Sequence, residues 1–270
     1  MKVWFITGTS RGFGREWTIA ALQRGDKVAA TARHVESLND LVEQFGDAIL
    51  PLTLDVTNHD AAFAAVKQAH EHFGRLDVVV NNAGYGLMGA VEEVSEAQAR
   101  AQIETNLFGA LWVTQAALPY LREQGSGHIL QVSSIGGVAS FMGVGLYHAS
   151  KWALEGFSDS LSQEVKEFGI KVTLIEPGGF TTDWAGSSAQ RATPLPSYDK
   201  MRNTPRPVSS SKRGDPKASS AAILKVVDAE NPPLRLLLGN FASDYVKKVY
   251  PERLATWAEW EDVARAADGE

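Results

Sequence analysis

Short apolar segments alternate along the chain with longer segments in which apolar residues recur every three or four positions. The short segments are rich in Val, Ile and Leu, which is typical of strands buried on both faces. They predict seven strands, near Val3–Thr7, Lys27–Thr31, Ile49–Leu54, Leu76–Val80, His128–Val132, Lys171–Ile175 and Leu234–Leu238. The longer segments predict helices near Phe13–Arg24, Glu36–Phe45, His59–Phe73, Glu96–Arg122, Tyr147–Phe168 and Lys217–Ala229.

Strands without a polar face favour a parallel sheet, because helices must then cover both of its faces. Right-handed crossovers wind such a sheet in both directions from its centre, and ligands bind at the carboxyl ends of the strands. The 270 residues show no internal repeat and no interdomain linker. We therefore expect an α/β protein with a single Rossmann-type domain over residues 1–270, a doubly wound parallel sheet of about seven strands with helices on both faces.

The segment from Trp184 to Pro216 departs from this alternation. Prolines and a run of serines prevent a long regular helix there. A loop of this length inside a compact domain is usually a lid over a binding site or a disordered segment. Because it follows the sixth predicted strand on the ligand side, we expect residues 184–216 to form a substrate lid. Basic residues outnumber acidic ones in this segment. The basic residues are Arg191, Lys200, Arg202, Arg206, Lys212 and Arg213.

Composition and charge indicate which kinds of ligand and partner the protein can bind. The formal net charge of −6 is opposite to the basic excess typical of nucleic-acid-binding proteins. The absence of cysteine excludes disulfides and thiol chemistry, and the six histidines show no metal-binding spacing. Apolar runs fall short of the roughly 18 residues of a membrane span, and no leader precedes the first predicted strand. We expect a soluble cytoplasmic protein that acts on a small molecule, without metal, nucleic acid or membrane.

A glycine-rich turn lies between the first predicted strand and the first predicted helix, with glycines at Gly8, Gly12 and Gly14. Glycine permits positive φ and a close approach of the backbone to a ligand. The helix that follows presents free N–H groups and a partial positive charge to an anion. An ordinary turn is the simpler interpretation of three glycines, but this position in the fold favours binding of a dinucleotide pyrophosphate.

Four further polar features end predicted strands or begin the following helix. Asn81-Asn82-Ala83-Gly84 ends the fourth strand, Ser133-Ser134 the fifth and Pro177-Gly178 the sixth. Tyr147 and Lys151 begin the helix after the fifth strand and share one of its faces. The Tyr-Lys pair is weak evidence alone, because a solvated surface pair has the same spacing. Their common position at the ligand end of the sheet is what predicts a site.

Together these features resemble the short-chain dehydrogenase/reductase family over about residues 3–240. The matching positions are Thr7-Gly8-x3-Gly12-x-Gly14, Asp55, Asn81-Asn82-Ala83-Gly84, Asn106, Ser134, Tyr147, Lys151, Pro177-Gly178 and Thr182. The resemblance implies an oxidoreductase that interconverts a ketone or aldehyde and an alcohol by hydride transfer with a nicotinamide cofactor. It also implies that the catalytic residues are Asn106, Ser134, Tyr147 and Lys151.

The resemblance assigns a role to each of these four residues. Tyr147 exchanges a proton with the substrate oxygen, and Ser134 hydrogen-bonds the same oxygen. A nearby ammonium and an oxidised nicotinamide both favour phenolate, so we expect the pKa of Tyr147 to be lowered. Lys151 also binds the nicotinamide ribose. Asn106 holds a water that links Lys151 to solvent, although a polar side chain on a wet helix face is the simpler interpretation of Asn106.

The second predicted strand indicates which nicotinamide cofactor is bound. It ends without the carboxylate that usually accepts hydrogen bonds from the ribose of NAD, and Arg33 follows it. Arg33 and Arg11 would bind a 2′-phosphate through charge-assisted contacts, unless both are solvated surface charges. We expect NADP(H). The expected cofactor contacts are Gly8, Ser10, Arg11, Gly12, Phe13, Gly14, Arg33, Asp55, Val56, Asn82, Ala83, Gly84, Tyr147, Lys151, Pro177, Gly178, Phe180 and Thr182.

Residues near the catalytic positions indicate an apolar substrate pocket. The expected lining residues are Ser134, Phe141, Met142, Tyr147, Gly179 and Trp184, with Tyr85 beside them. They suit a ketone, aldehyde or secondary alcohol of moderate size, although core packing would also explain the aromatic residues.

Other interpretations of the chain stay open. A non-catalytic NADP(H)-binding sensor of the same fold is the principal alternative, and an epimerase or dehydratase is a third. The family implies a homo-oligomer, a dimer or tetramer, formed through the two longest helices. Trp257 and Trp260 near the end of the chain could cover the core, line the pocket or contact a second subunit.

Overall fold

The structure is a computed structural model that describes residues 1–186, 188–204 and 213–269. Part of the expected lid, including Arg206 and Lys212, lies outside the described residues.

Seven parallel strands form the central sheet, as the sequence predicts. The strands of the described residues, which include a separate short pair, are β1 (Val3–Thr7), β2 (Lys27–Ala32), β3 (Ile49–Thr53), β4 (Val78–Asn81), β5 (Leu87–Met88), β6 (Gly127–Val132), β7 (Ile170–Pro177), β8 (Gln190–Arg191) and β9 (Arg235–Leu238). The sheet order is β3-β2-β1-β4-β6-β7-β9, and every neighbouring pair is parallel. The doubly wound sheet is confirmed. The separate β5–β8 pair was not predicted, because two residues per strand leave no pattern.

Helices cover both faces of this sheet. They are α1 (Gly12–Gln23), α2 (Asn39–Phe45), α3 (His59–Phe73), α4 (Glu96–Ile103), α5 (Gly109–Gln124), α6 (Gly145–Glu164), α7 (Asp199–Asn203), α8 (Pro216–Asp228), α9 (Asn240–Glu259) and α10 (Glu261–Ala266). The single helix predicted over 96–122 is interrupted, because a π-helical turn, Glu104–Phe108, separates α4 from α5.

Alternate residues of β1 point to opposite faces and define two cores. Val3 and Phe5 pack with apolar residues of α3, α5 and α6. Trp4 and Ile6 pack with residues of α1, α2 and α8 on the other side. This double burial explains why the strands are apolar throughout and why their carboxyl ends open at one edge.

The two halves of helix α9, which precedes the last helix α10, differ in how far they are buried. Its first half packs Phe241 and Tyr245 against Ile135 and Val138, which follow β6. Beyond it, Trp257 and Trp260 are 63% and 60% exposed, so they neither cover the core nor line a pocket in this structure. Among the helices of the described ranges, none is both long and apolar enough to cross a membrane.

Asp26 joins the start of β1 to the turn before β2. Its buried carboxylate accepts hydrogen bonds from the Lys2 backbone N–H, Trp4 Nε1 and Arg24 Nε, each at 2.9 Å. Burial alone would raise the pKa of Asp26, but the hydrogen bonds from Arg24, Lys2 and Trp4 outweigh it and hold the pKa below the ordinary value. The ionised form therefore stabilises the fold.

We expect Asp26→Asn to lower the free energy of unfolding by about 1.5–3 kcal/mol at neutral pH, because three donors lose a charged acceptor. A carboxylate whose pKa is depressed in the folded state stabilises above its unfolded pKa, and that contribution disappears as the pH falls through its folded pKa. In denaturant unfolding, the difference in unfolding free energy between wild type and Asp26→Asn should be smaller under acidic conditions than at neutral pH. Asp228→Asn, which removes the exposed partner of Arg24 at 2.8 Å, is the control and should have little effect. An Asp26→Asn penalty that is independent of pH would contradict this account.

Candidate active site

A cleft of about 530 Å³ opens where β1, β4, β6 and β7 end. β1 and β4 lie side by side there, and the chain leaves them toward opposite edges of the sheet. Ligands of doubly wound folds bind at this reversal of strand order. The cleft brings together the glycine turn, the end of β2 and the start of α6.

The backbone of the glycine turn is shaped for close contact with a ligand. Gly8 and Gly12 have φ of +70° and +60°, a region that side chains disfavour. A Cβ on Gly14 would collide with the Gly8 carbonyl oxygen and lie 2.5 Å from Asn82 Nδ2. Gly14 does not line the cleft and supports the turn from beneath.

The first turn of α1 lies at this cleft without a capping side chain. Arg11 precedes the helix in extended conformation, and no side-chain hydrogen bond caps the helix. Helical N–H groups at such an end suit an anion. The bare glycine backbone and the uncapped helix therefore fit the pyrophosphate of a dinucleotide.

Hydrogen bonds join the turns that follow β1 and β4. Thr7 Oγ1 accepts from the backbone N–H groups of Asn82 and Ala83, both at 3.0 Å. Asn82 Nδ2 in turn donates to the carbonyls of Thr7 and Gly8, at 2.9 and 3.0 Å. The floor of the cleft is thus fixed by protein contacts alone.

Tyr147 and Lys151 lie one turn apart on α6, and both are buried at the cleft. The Lys151 ammonium donates to the Val132 carbonyl at 2.7 Å and lies 5.9 Å from the centre of the Tyr147 ring. Ser134, beyond the end of β6, also lines the cleft, and its Oγ accepts from the Gly136 backbone N–H at 3.0 Å. Three of the four expected catalytic side chains therefore converge.

Asn106, the fourth expected catalytic residue, lies behind the cleft wall in the π-helical turn. Its side chain accepts from the Tyr85 N–H and donates to the Tyr85 carbonyl and to Ser150 Oγ, each at 3.1 Å. A Cβ placed on Gly84 would lie 3.0 Å from Asn106 Oδ1 and 3.7 Å from Lys151 Nζ, so both side chains meet at Gly84. Asn106 is buried, which excludes the wet-face interpretation.

The pKa of Tyr147 differs from the sequence expectation. Burial raises it to about 12, and a hydrogen bond to Ser134 opposes only part of this effect. The expected lowering of the Tyr147 pKa is wrong for the protein alone, because burial disfavours the charged phenolate. Burial likewise lowers the pKa of Lys151 to about 8, against an opposing effect of the Glu155 charge.

Aromatic side chains form the substrate end of the cleft. The Trp184 ring lies edge-on to Tyr147, with centroids 4.9 Å apart, and Phe141 packs nearby. Gly179 and Tyr85 line the cleft as expected. Met142 does not: it is 55% exposed and lies outside the cleft wall.

Several lining residues were not predicted. His148 is the most informative, because its Nδ1 is 2.9 Å from the Gly136 carbonyl and its Nε2 accepts from the Phe141 N–H at 2.9 Å. The ring therefore fixes the loop between Ser134 and Phe141. The position of His148 next to Tyr147 in the sequence could have identified it as a lining residue. Among the others are Met88, Val144, Asp183, Ser188 and Gln190, which tertiary packing brings here.

The two arginines expected at the 2′-phosphate have different surroundings. Arg33 is exposed and lines the cleft just after β2. Arg11 also lines it, but its Nη1 forms an ion pair with Asp183 Oδ2 at 2.9 Å. Asp183 follows β7, so this pair spans the mouth of the cleft. The remaining expected cofactor residues, Gly8, Ser10, Gly12, Phe13, Asp55, Val56, Asn82, Ala83, Gly84, Pro177, Gly178, Phe180 and Thr182, all line it.

The described part of the expected lid is attached to the cleft rim. The buried Glu93 carboxylate accepts from the backbone N–H groups of Ala90 and Leu195, both at 2.7 Å, and pairs with Arg202. These hydrogen bonds lower the pKa of Glu93. The described part of this segment forms the short elements β8 and α7 and no long helix, because its prolines prevent one.

Residues 2–193 match the family model described as short chain dehydrogenase. The chain belongs to the short-chain dehydrogenase/reductase family. An oxidoreductase of Botryotinia fuckeliana is 46% identical over 98% of this chain and 99% of its own length. A short-chain dehydrogenase from Streptomyces avermitilis has a similar structure, with a TM-score of 0.92 and 40% identity over 98% of both chains. An alcohol dehydrogenase from Thermococcus sibiricus, in complex with 5-hydroxy-NADP, matches with a TM-score of 0.74 and 27% identity over 88% of this chain and 96% of its own.

The family and these neighbours establish the short-chain dehydrogenase as an oxidoreductase whose cleft suits a nicotinamide cofactor. The glycine turn, the first turn of α1 and the Tyr147-Lys151 pair all line this cleft.

We expect Gly14→Ala to weaken nicotinamide cofactor binding by at least about tenfold, because the added Cβ must displace the Gly8 carbonyl or the Asn82 amide. Fluorescence titration with NADPH and NADH measures the effect, and thermal unfolding shows whether the fold is kept. Gly156→Ala is the matched control, because a Cβ there meets nothing within 4 Å. Equal affinities of the wild type and Gly14→Ala would refute the packing role of Gly14.

Proposed function

We propose that this short-chain dehydrogenase is an NADP(H)-dependent carbonyl reductase or alcohol dehydrogenase in which Tyr147 is the general acid and base. The observation that supports this most directly is the buried Tyr147 phenol beside the Lys151 ammonium, in the cleft that also contains the glycine turn.

Protonation of Tyr147 favours its role as a proton donor. With a pKa of about 12 the phenol is fully protonated at neutral pH. It gives its proton to the carbonyl oxygen during reduction, and the Lys151 ammonium stabilises the phenolate that remains. Ser134 hydrogen-bonds the same oxygen and orients the substrate. A nicotinamide bound in the cleft supplies the hydride.

Resupply of the proton involves the side chains that meet at Gly84. Lys151 and Asn106 approach this glycine together, from α6 and from the π-helical turn. The wider π-turn holds the Asn106 amide against the Tyr85 backbone, which fixes its orientation. Lys151 then returns a proton to the phenolate, and Asn106 holds the water through which solvent recharges Lys151.

The preference for NADP(H) rests on charge at the end of β2. The strand ends at Ala32 and presents Arg33 without a carboxylate, and Arg11 lies across the turn. The Thermococcus sibiricus neighbour in complex with an NADP analogue supports the same assignment. Arg11 would bind the 2′-phosphate either in place of Asp183 or together with it. Arg33 would bind the phosphate from the solvent-exposed side of the cleft.

The substrate is a moderately sized carbonyl compound with an apolar body. Met88, Phe141, Val144 and Trp184 surround the Tyr147 ring and offer few hydrogen-bonding groups. Such a wall favours alkyl or aryl ketones and aldehydes over sugars. A cytoplasmic homo-oligomer, and a lid function for residues 184–216, remain predictions of the proposal.

We expect Tyr147→Phe to lower turnover of carbonyl substrates by about 10²–10⁴-fold, since the proton donor is lost. Affinity for NADPH should stay within a few fold. The measurements are NADPH oxidation with a panel of ketones and aldehydes, and fluorescence titration of the cofactor. Tyr120→Phe removes a hydroxyl from α5, outside the cleft, and should leave turnover unchanged. Tight NADPH binding by the wild type without turnover of any carbonyl would favour the non-catalytic sensor instead.

We expect Arg33→Asp to raise the dissociation constant of NADPH by at least about tenfold while that of NADH changes little, because only NADPH carries the 2′-phosphate. Combining it with Arg11→Ser should shift preference further toward NADH. Arg265→Asp, at the distant end of α10, is the control. If preference for NADPH survives the double substitution, other groups must bind the 2′-phosphate.

A further inference from the structure

Three buried residues with ionisable side chains follow one another along a single face of α6. Tyr147, Lys151 and Glu155 are spaced by four residues, so each lies one turn beyond the last. All three are at most 6% exposed. The first two belong to the proposed catalytic set, whereas Glu155 lies behind them and does not line the cleft.

Glu155 is fixed from the edge of the sheet. Its Oε2 accepts from Arg235 Nε of β9 at 3.0 Å. Arg235 also donates to Asp159 Oδ2, one turn further along α6, at 2.9 Å. Glu155 Oε1 faces Gly137, on which a Cβ would lie 3.1 Å from it.

A second buried carboxyl, Glu176 of β7, shares the same guanidinium. Its Oε1 lies 3.9 Å from Arg235 Nε, and the residue is 2% exposed. Burial raises the pKa of Glu176 to about 8, and the charge of Glu155 adds to the rise. Two ionised carboxylates beside one cation are costly, so burial and the neighbouring Glu155 charge favour the protonated form of Glu176.

The surroundings of the Lys151 ammonium otherwise contain neutral groups. The Val132 carbonyl of β6, the Tyr147 phenol on α6 and the Asn106 amide of the π-helical turn face it. The Glu155 carboxylate is the charge that favours the ammonium form, against the effect of burial. The guanidinium of Arg235 pairs with Glu155 and is itself held by Asp159.

We propose that Glu155, fixed by Arg235 and one helical turn beyond Lys151, is a positioning residue that keeps Lys151 charged beside Tyr147. Its relevance to catalysis rests on the proposed function, in which the ammonium stabilises the Tyr147 phenolate. Glu155 touches neither substrate nor cofactor. It acts through the electrostatic free energy of Lys151, which a buried carboxylate influences far more than an exposed one does.

The direct test is the titration of Lys151 in protein labelled with ¹³C at lysine Cε, followed by NMR and assigned by loss of the resonance in Lys151→Met. Glu155→Gln should lower the midpoint by about one pH unit, because the stabilising carboxylate is lost. Glu155→Gln combined with Arg235→Gln should lower it as well. That double variant leaves no unpaired buried charge, and it removes the cation that would let Glu176 ionise in place of Glu155.

Asp159→Asn is the matched control, because it breaks the other ion pair of Arg235 and leaves the Glu155 contact in place. A purely structural ion pair would make Asp159→Asn and Glu155→Gln alike, with lower melting temperatures and an unchanged Lys151 midpoint. An unchanged midpoint in both Glu155 variants overturns the proposal.

Kinetics give an independent readout. The alkaline decline of kcat/KM for carbonyl reduction should begin at lower pH in Glu155→Gln and stay at the wild-type position in Asp159→Asn. A wild-type protein that reduces no carbonyl would defeat the proposed function. The NMR titration would still decide the role of Glu155, so the two failures are distinguishable.

Discussion

The proposed chemistry depends on burying a phenol and an ammonium next to each other. Desolvation opposes the charged form of both, so it raises the pKa of Tyr147 to about 12 and lowers the pKa of Lys151 to about 8. Neither effect requires a special residue type, only a helix whose first two turns are enclosed by the ends of β4, β6 and β7. The fold therefore tunes the site by excluding water from it.

Burial of this site requires ordered loops around the cleft, and hydrogen bonds hold each loop in place. Thr7 and Asn82 join the turns after β1 and β4, and His148 fixes the loop beyond Ser134. Glu93 holds the described part of the segment after β7. These contacts use backbone groups on one side, so they order loops that have little apolar surface of their own.

Sequence patterns predicted the sheet almost completely, because a strand buried on both faces must be apolar at every position. The glycine turn and the Tyr147-Lys151 pair were also predictable, since their spacing is local. The π-helical turn around Asn106 was not, because nothing in a 3.6-residue periodicity indicates one extra residue in a turn. Met142 and His148 show the same limit: which of two neighbouring polar or apolar side chains faces the cleft is decided by how a loop packs.

The glycine turn and Arg33 differ in how far their surroundings constrain them. Gly14 is wedged against Gly8 and Asn82, so the part of the cleft that suits a pyrophosphate tolerates no change of shape. Arg33 lies at the exposed rim, in contact mainly with solvent. If the proposed NADP(H) preference holds, substitutions at the rim would change cofactor choice and leave the packed glycine turn intact.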